Sequence, residues 1–336
     1  MKPSDPAPFF QPTAPATQAR LLADVGGTNA RFAWQAGPGR PLVDEQVLPC
    51  ADHASLPLAI QAYLARTGHA APSHAAVAIA SPVTGDWVQM TNHHWAFSQQ
   101  ALRDSLSLTT LRVLNDFTAL ALALPAVPAG DLQAIGAGVA VPDAPRALLG
   151  AGTGLGVSGL VPNGCGGWVP LKGEGGHVTL PAETDREHLV MAGLRRRYGH
   201  VSAERALCGQ GLLDMYTLLC EADGVTHSTC ATPADITKAA LAGHGQQAVE
   251  ALTMFCALLG SVAGNLALTL GARGGVYVGG GIVPRLGDWF QGSPFRARFE
   301  AKGRYAAYLQ AIPVWVITAR QSPALLGASR ALDGVA

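Results

Sequence analysis

Asp24, Gly26, Gly27 and Thr28 lie in "LLADVGGTNARFAW" (21–34), where an apolar run ends in one carboxylate and two glycines before apolar residues resume. Successive backbone N–H groups in a glycine turn form a concavity that draws in anions, and glycine has no Cβ to block a phosphate. Thr28 adds a hydroxyl donor. Asp24 would repel a phosphate directly but suits Mg²⁺ beside one, usually through water. The same residues also describe a plain β-hairpin whose glycines supply turn geometry. "GAGTGLG" (150–156) repeats the pattern with Gly152, Thr153 and Gly154. "VGGGIVPRL" (278–286) sets Gly279, Gly280 and Gly281 after an apolar strand, ahead of a helix with Pro284 in its first turn. Three glycine-rich strand ends exceed what turn-making requires. The stretch 154–159 also fits G-x-G-x-x-G, but strand-forming residues follow where a dinucleotide fingerprint needs a helix. No lysine is followed by Ser or Thr, so there is no Walker A loop.

A second group of residues suits a hydroxylated acceptor. In "VLNDFTAL" (113–120), Asn115 and Asp116 end an apolar strand. An aspartate there can take the proton of a substrate hydroxyl while the neighbouring amide orients it, the base role in phosphoryl transfer to alcohols. Alternatively, Asp116 caps a helix that starts at Phe117. "LKGEGGHV" (171–178) sets Glu174 and His177 among glycines, able to accept from vicinal sugar hydroxyls or to sit in a solvated turn. Glu204 in "GHVSAERAL" (199–207) is a third acceptor, or a first-turn glutamate favoured by the helix dipole. Other candidates read as structural. Arg195, Arg196 and Arg197 form a solvated helix face, His93 and His94 flank a loop, and Trp95 and Phe97 are core residues.

These residues need a scaffold. The chain has 336 residues, about half of them apolar, enough for two globular domains. Its 23 basic and 23 acidic side chains cancel, so no global positive field points to nucleic acid, and any bound anion must be gripped locally. The six cysteines (Cys50, Cys165, Cys208, Cys220, Cys230, Cys256) are scattered without zinc-site spacing, which suits reduced thiols in a cytoplasm. Residues 1–19 are rich in Pro and Ala, lack the apolar core of a secretory signal, and read as a loose tail. No apolar stretch of membrane-spanning length is free of Gly, Pro or charge, so no membrane partner is expected. Strand signals at 21–23, 75–80, 111–115, 146–151, 274–280 and 313–318 alternate with helical periodicity, clearest at 187–198 and 246–270, and predict an α/β protein. The loop 125–130 marks a domain boundary. The two Gly-Thr hairpins echo each other, as two similar halves closing on one ligand would.

Taken in register, "ADVGGTNARFA", "SPVTGDWVQMTNHHWAFS", "NDFTALALALP", "GAGTGLGVSGLV", "GEGGHVTLPA", "GHVSAERALCGQGL", "GNLALTLGARGGVYVGGGIVPR" and "FRARFEAKGR" closely resemble the bacterial ATP-dependent glucokinases of the hexokinase superfamily. The resemblance runs from about Leu21 to Leu326. It implies the actin-like, ribonuclease-H-like fold of sugar kinases, with a small α/β domain (20–126 plus 318–336), a large one (127–317) and a cleft between them. It implies MgATP as phosphoryl donor and D-glucose as acceptor. Asp116 matches the family's general base. Asn115, Asp116, Glu174, His177 and Glu204 match its glucose contacts. Ala23, Asp24, Val25, Gly26, Gly27 and Thr28 match its first phosphate loop, with Asp24 near Mg²⁺. Gly152, Thr153 and Gly154 match the second loop, and Gly279, Gly280 and Gly281 match residues near the nucleoside. The related ROK proteins carry a cysteine-rich zinc motif after the equivalent histidine, whereas "HVTLPAETD" has no cysteine, so the chain resembles the zinc-free branch. ROK repressors also carry an N-terminal helix-turn-helix, for which residues 1–19 are too short and too proline-rich. The family resemblance further implies a homodimer in the cytoplasm. Two rival readings are a sugar kinase of broader hexose range and a sugar-sensing regulator without catalysis.

Overall fold

The computed structural model describes residues 18–226, 229–319 and 321–334. The segment read as a tail therefore lies, up to residue 17, outside the described residues. The chain divides into two compact units, one running through Ala126 and resuming at Ser322, the other spanning Val127–Gln321.

In the first unit, β1 (Arg20–Val25), β2 (Asn29–Gln35) and β3 (Leu42–Pro49) form an antiparallel meander, while β4 (His74–Ile79) runs parallel to β1. A small hairpin of β5 (Trp87–Gln89) and β6 (Ala96–Ser98) precedes β7 (Thr110–Asn115), which lies parallel to β4. The sheet order is β3-β2-β1-β4-β7. β1 and β4 are almost entirely buried, with apolar runs at Leu21–Ala23 and Ala75–Ile79, as strands covered on both faces have. One face carries a core that includes Phe32, Tyr63 and Trp95. On the other, the helix Pro323–Leu332 returns to cover Leu22, Ala33 and Ala76. That helix also touches the helix Asp116–Ala123 at Gly327, where any Cβ would collide with the Ala119 carbonyl. The close approach fixes the helix on which Asp116 sits.

The second unit repeats the pattern. β9 (Arg146–Ala151), β10 (Leu155–Pro162) and β11 (Trp168–Pro170) form the antiparallel meander. β12 (Val276–Gly279) and β13 (Val314–Ile317) add in parallel, and β8 (Leu132–Ala134) closes the edge, giving β11-β10-β9-β12-β13-β8. The echo between the two Gly-Thr hairpins is thus an echo of two whole sheets. Beside the second sheet lies the helix Gln246–Leu270, long and apolar enough to cross a membrane but mostly buried in the core. It ends at Gly271 in the left-handed conformation, which glycine adopts without a Cβ penalty.

Several sequence expectations shift in detail. The helix expected from residue 187 begins at Asp185, because Thr184 and Glu187 form a reciprocal capping box. The helix expected after the 279–281 glycines is one 3₁₀ turn, Val283–Leu286, ended by Gly287 at φ +53°. Arg197 does not belong to a purely solvated face. Its guanidinium binds Asp214 and Glu221, both at 3.2 Å. Trp95 and Phe97 are buried as expected, and the His93 ring meets Trp95 edge-on.

Candidate active site

The first glycine turn, residues 26–28, joins β1 to β2. Gly26 N–H donates to the Asn29 carbonyl at 2.9 Å and closes the turn. Gly27 faces Asn92, whose backbone oxygen would stand 3.0 Å from an added Cβ. Cys50 holds the turn from behind, its N–H on the Thr28 carbonyl at 2.8 Å and its thiol on the Gly26 carbonyl at 3.4 Å. Burial pushes the Cys50 thiol up, which keeps it a donor. Ala23 and Val25 stand in the strand ladder with fully buried side chains, so the accessible part of the segment is Asp24 and residues 26–28. Asp24 accepts from the Ser322 hydroxyl at 2.6 Å and lies 3.5 Å from Arg31, its cross-strand partner.

Asn115 and Asp116 stand where β7 passes into the helix Asp116–Ala123. The N-cap is Asn115, not Asp116. The Asn115 side-chain oxygen accepts from Phe117 N–H at 2.9 Å and Thr118 N–H at 3.3 Å. Capping therefore does not account for Asp116. Its carboxylate accepts from Phe117 N–H at 2.9 Å. Burial, reinforced by the nearby charge of Asp24, raises the Asp116 pKa to about 6, against opposing hydrogen bonds from the backbone and from Asn115.

In the second unit, the turn 152–154 joins β9 to β10 as the first turn joins β1 to β2. Thr28 and Thr153 are the exposed residues of their turns. Gly152 N–H donates to the Gly154 carbonyl at 2.8 Å. The third glycine run lies against the end of β9. Gly279 is buried beside Gly150, where a Cβ would stand 2.6 Å from the Gly279 carbonyl carbon. Gly280, at φ +82°, leaves no room for a side chain beside the Ala151 carbonyl, whereas Gly281 is open. Glu174 precedes the 3₁₀ turn Gly175–His177 and is exposed. His177 Nε2 lies 4.0 Å from Glu204 Oε1. Glu204, in the first turn of the short helix Ala203–Ala206, accepts from Leu155 N–H at 2.8 Å through Oε2.

The first unit thus assembles a glycine turn, a carboxylate on the strand that leads into it and a second carboxylate of raised basicity. The second assembles another such turn with a carboxylate–imidazole pair bonded to it. The family model for glucokinase matches residues 21–334. The chain belongs to the glucokinase family. It is 51% identical over 322 residues to a glucokinase of Neisseria meningitidis serogroup C, strain FAM18, covering 96% of this chain and 97% of the relative. With a glucokinase of Aromatoleum aromaticum it shares 55% over 320 residues, 94% and 95% of the two chains. The crystal structure of a glucokinase from an Antarctic psychrotroph superposes with a TM-score of 0.85 at 35% identity, covering 94% of this chain and 99% of that one. The fold is the two-domain, actin-like sugar-kinase fold of that family.

Beyond the family motifs, the candidate site of this glucokinase-family chain includes residues the sequence does not single out. Ser322 is one. It occupies the N-cap position of the helix Pro323–Leu332, yet its hydroxyl makes no cap bond and binds Asp24 instead. Asn92 and Cys50, which shape the first turn, carry no local signal either.

Proposed function

We propose that the protein transfers the γ-phosphoryl group of ATP to the 6-hydroxyl of D-glucose, giving glucose 6-phosphate and ADP. Beyond family membership, one observation carries this reading: Asp116, a buried carboxylate with its pKa raised to about 6, lies near enough to Asp24, at the end of the strand that leads into the first glycine turn, to feel its charge. Such a group is ionised at neutral pH and is a stronger base than an ordinary aspartate, which suits it to take the proton of the attacking hydroxyl. A protein that only sensed sugar would have no use for that basicity. Asn115 contributes through its side-chain NH₂, which reaches the Ser81 carbonyl at 3.5 Å and donates to Asp116, so that it orients the base that meets the hydroxyl. Its oxygen is committed to the helix N-terminus. Glu174, His177 and Glu204 accept from the other sugar hydroxyls. The backbone amides of residues 27–28 and 153–154, with the Thr28 and Thr153 hydroxyls, hold the ATP phosphates, and Gly280 and Gly281 lie toward the nucleoside. Charge spread over the phosphoryl oxygens in the transition state makes positioning and electrostatics the main catalytic contribution.

No cluster of three His, Cys, Asp or Glu residues suited to a metal exists among the described residues. A lone carboxylate fits Mg²⁺ carried mainly by phosphate and water, so Asp24 would hold it through water, and the ion would neutralise phosphate charge. Ser322 keeps Asp24 in place. Ser322→Ala is expected to raise the Mg²⁺ concentration for half-maximal rate about tenfold with glucose KM little changed. Magnesium titration of the initial rate checks this, and an unchanged curve would remove Ser322 from the site. The thiols of Cys50, Cys208, Cys220 and Cys256 are buried and form no disulfide, which supports a cytoplasmic setting.

A coupled assay for glucose 6-phosphate tests the proposed reaction. Tight glucose binding without ATP-dependent product would overturn it in favour of a sensor.

A further inference from the structure

We propose that Gly154 and Leu155 position Glu204 for the sugar, so that the second nucleotide turn also builds the sugar site. This rests on the reading of Glu204 as a sugar acceptor. Glu204 sits on a helix of only four residues, too short to fix a long side chain by itself. Its carboxylate is instead held from across the chain, with Oε2 accepting from Leu155 N–H at 2.8 Å. That bond commits Oε2 and leaves Oε1 toward His177 Nε2, 4.0 Å away, so on this reading Oε1 is the atom that meets a sugar hydroxyl. The turn is tied to the sugar-binding segments at two further points. Gly209 N–H donates to the Gly152 carbonyl at 2.9 Å, and the Leu155 carbonyl is so close to Gly176 that any Cβ there would collide with it.

Gly154 makes the carboxylate's position possible. It is not among the residues with positive φ, so its backbone does not demand glycine. A Cβ at 154 would stand 2.5 Å from Glu204 Oε2 and 3.3 Å from its Cδ. Gly152, in the same turn, differs. A Cβ there would find only Gly281 N, at 3.8 Å. Two glycines two residues apart thus differ: a side chain at 152 would meet open space, whereas one at 154 would meet the carboxylate.

Glucose titrations by calorimetry without nucleotide exclude any phosphate role of the turn. Gly154→Ala should displace Oε2, break the Leu155 bond and weaken glucose binding about 10- to 100-fold, while Gly152→Ala should stay within about twofold of the parent protein. In a Glu204→Ala background, Gly154→Ala should add no further loss, because its effect runs through the carboxylate. A second pair separates reach from charge without touching the turn. Glu204→Gln keeps the length needed to accept from Leu155 N–H and should bind glucose more tightly than Glu204→Asp, which keeps the charge but not the reach. Glucose affinity unchanged in Gly154→Ala, equal loss in both glycine variants, or Asp binding as well as Gln would overturn the proposal. Failure of the unaltered protein to bind glucose would instead refute the reading of the sugar site.

Discussion

Replacing Asp116 with Asn is expected to lower kcat at least about a hundredfold while glucose KM moves only a few-fold. The amide keeps the shape and a hydrogen-bonding oxygen but cannot take a proton, so the loss falls on a step made only in the transition state. A variant keeping more than about a tenth of the turnover would remove Asp116 from the mechanism. The same carboxyl fixes the pH dependence. With its pKa at about 6, the rate should fall as pH drops through about 6, because protonation removes the base. Asp24→Asn should move that acid limb to lower pH, since the like charge that helps raise the Asp116 pKa is gone. Stability should change in the opposite sense to activity. In the unfolded chain the carboxyl ionises near 3.8, in the folded one near 6. Below the lower value both states hold the proton and nothing is lost. As pH rises through the upper value the folded state bears an ionised group it disfavours, at a cost of up to about 3 kcal/mol. Asp116→Asn should therefore melt at a higher temperature than the parent at pH 7.5, and the gain should vanish near pH 3.5. A gain that persisted in acid would assign it to something other than the charge.

The motifs proposed for this chemistry are legible because their constraints are local. A glycine turn between two apolar strands, or an Asn-Asp pair at a strand end, is written in adjacent residues. The repeated sheet was legible only as two matching hairpins, since strand order depends on contacts between distant segments. β12 starts only at Val276 because Gly275 takes φ +111°, outside strand geometry, at a position where a side chain would meet the Trp315 ring, a partner forty residues on. The choice of N-cap has a similar origin. Asn and Asp cap about equally well, and the helix starts at Asp116, one residue before Phe117, which gives the role to Asn115. Ser322 binds Asp24 across 298 positions of sequence, and no spacing rule reaches that far. Gly154 looks like every other glycine of its motif until Glu204 is seen against it.

Hexoses that invert or lack a hydroxyl facing Glu204 should lose about a hundredfold in kcat/KM, more than those altered where Glu174 or His177 faces. The difference follows from mobility and solvation. Glu174 is exposed and the His177 side chain is 60% exposed, so either can return to water when a hydroxyl is missing. Glu204 is 32% exposed and bonded to Leu155 N–H, so it cannot turn away, and an unmatched hydroxyl leaves a charged acceptor poorly solvated. Glu204→Ala should then reduce kcat/KM for glucose far more than for the most strongly rejected hexose, narrowing the gap between them, whereas His177→Ala should leave the ranking intact. Measuring kcat/KM for glucose, mannose, galactose and N-acetylmannosamine on the three proteins decides the matter. Mannose or N-acetylmannosamine phosphorylated as fast as glucose would make the enzyme a kinase of broad hexose range, and an unchanged gap in Glu204→Ala would move the source of selectivity away from that carboxylate.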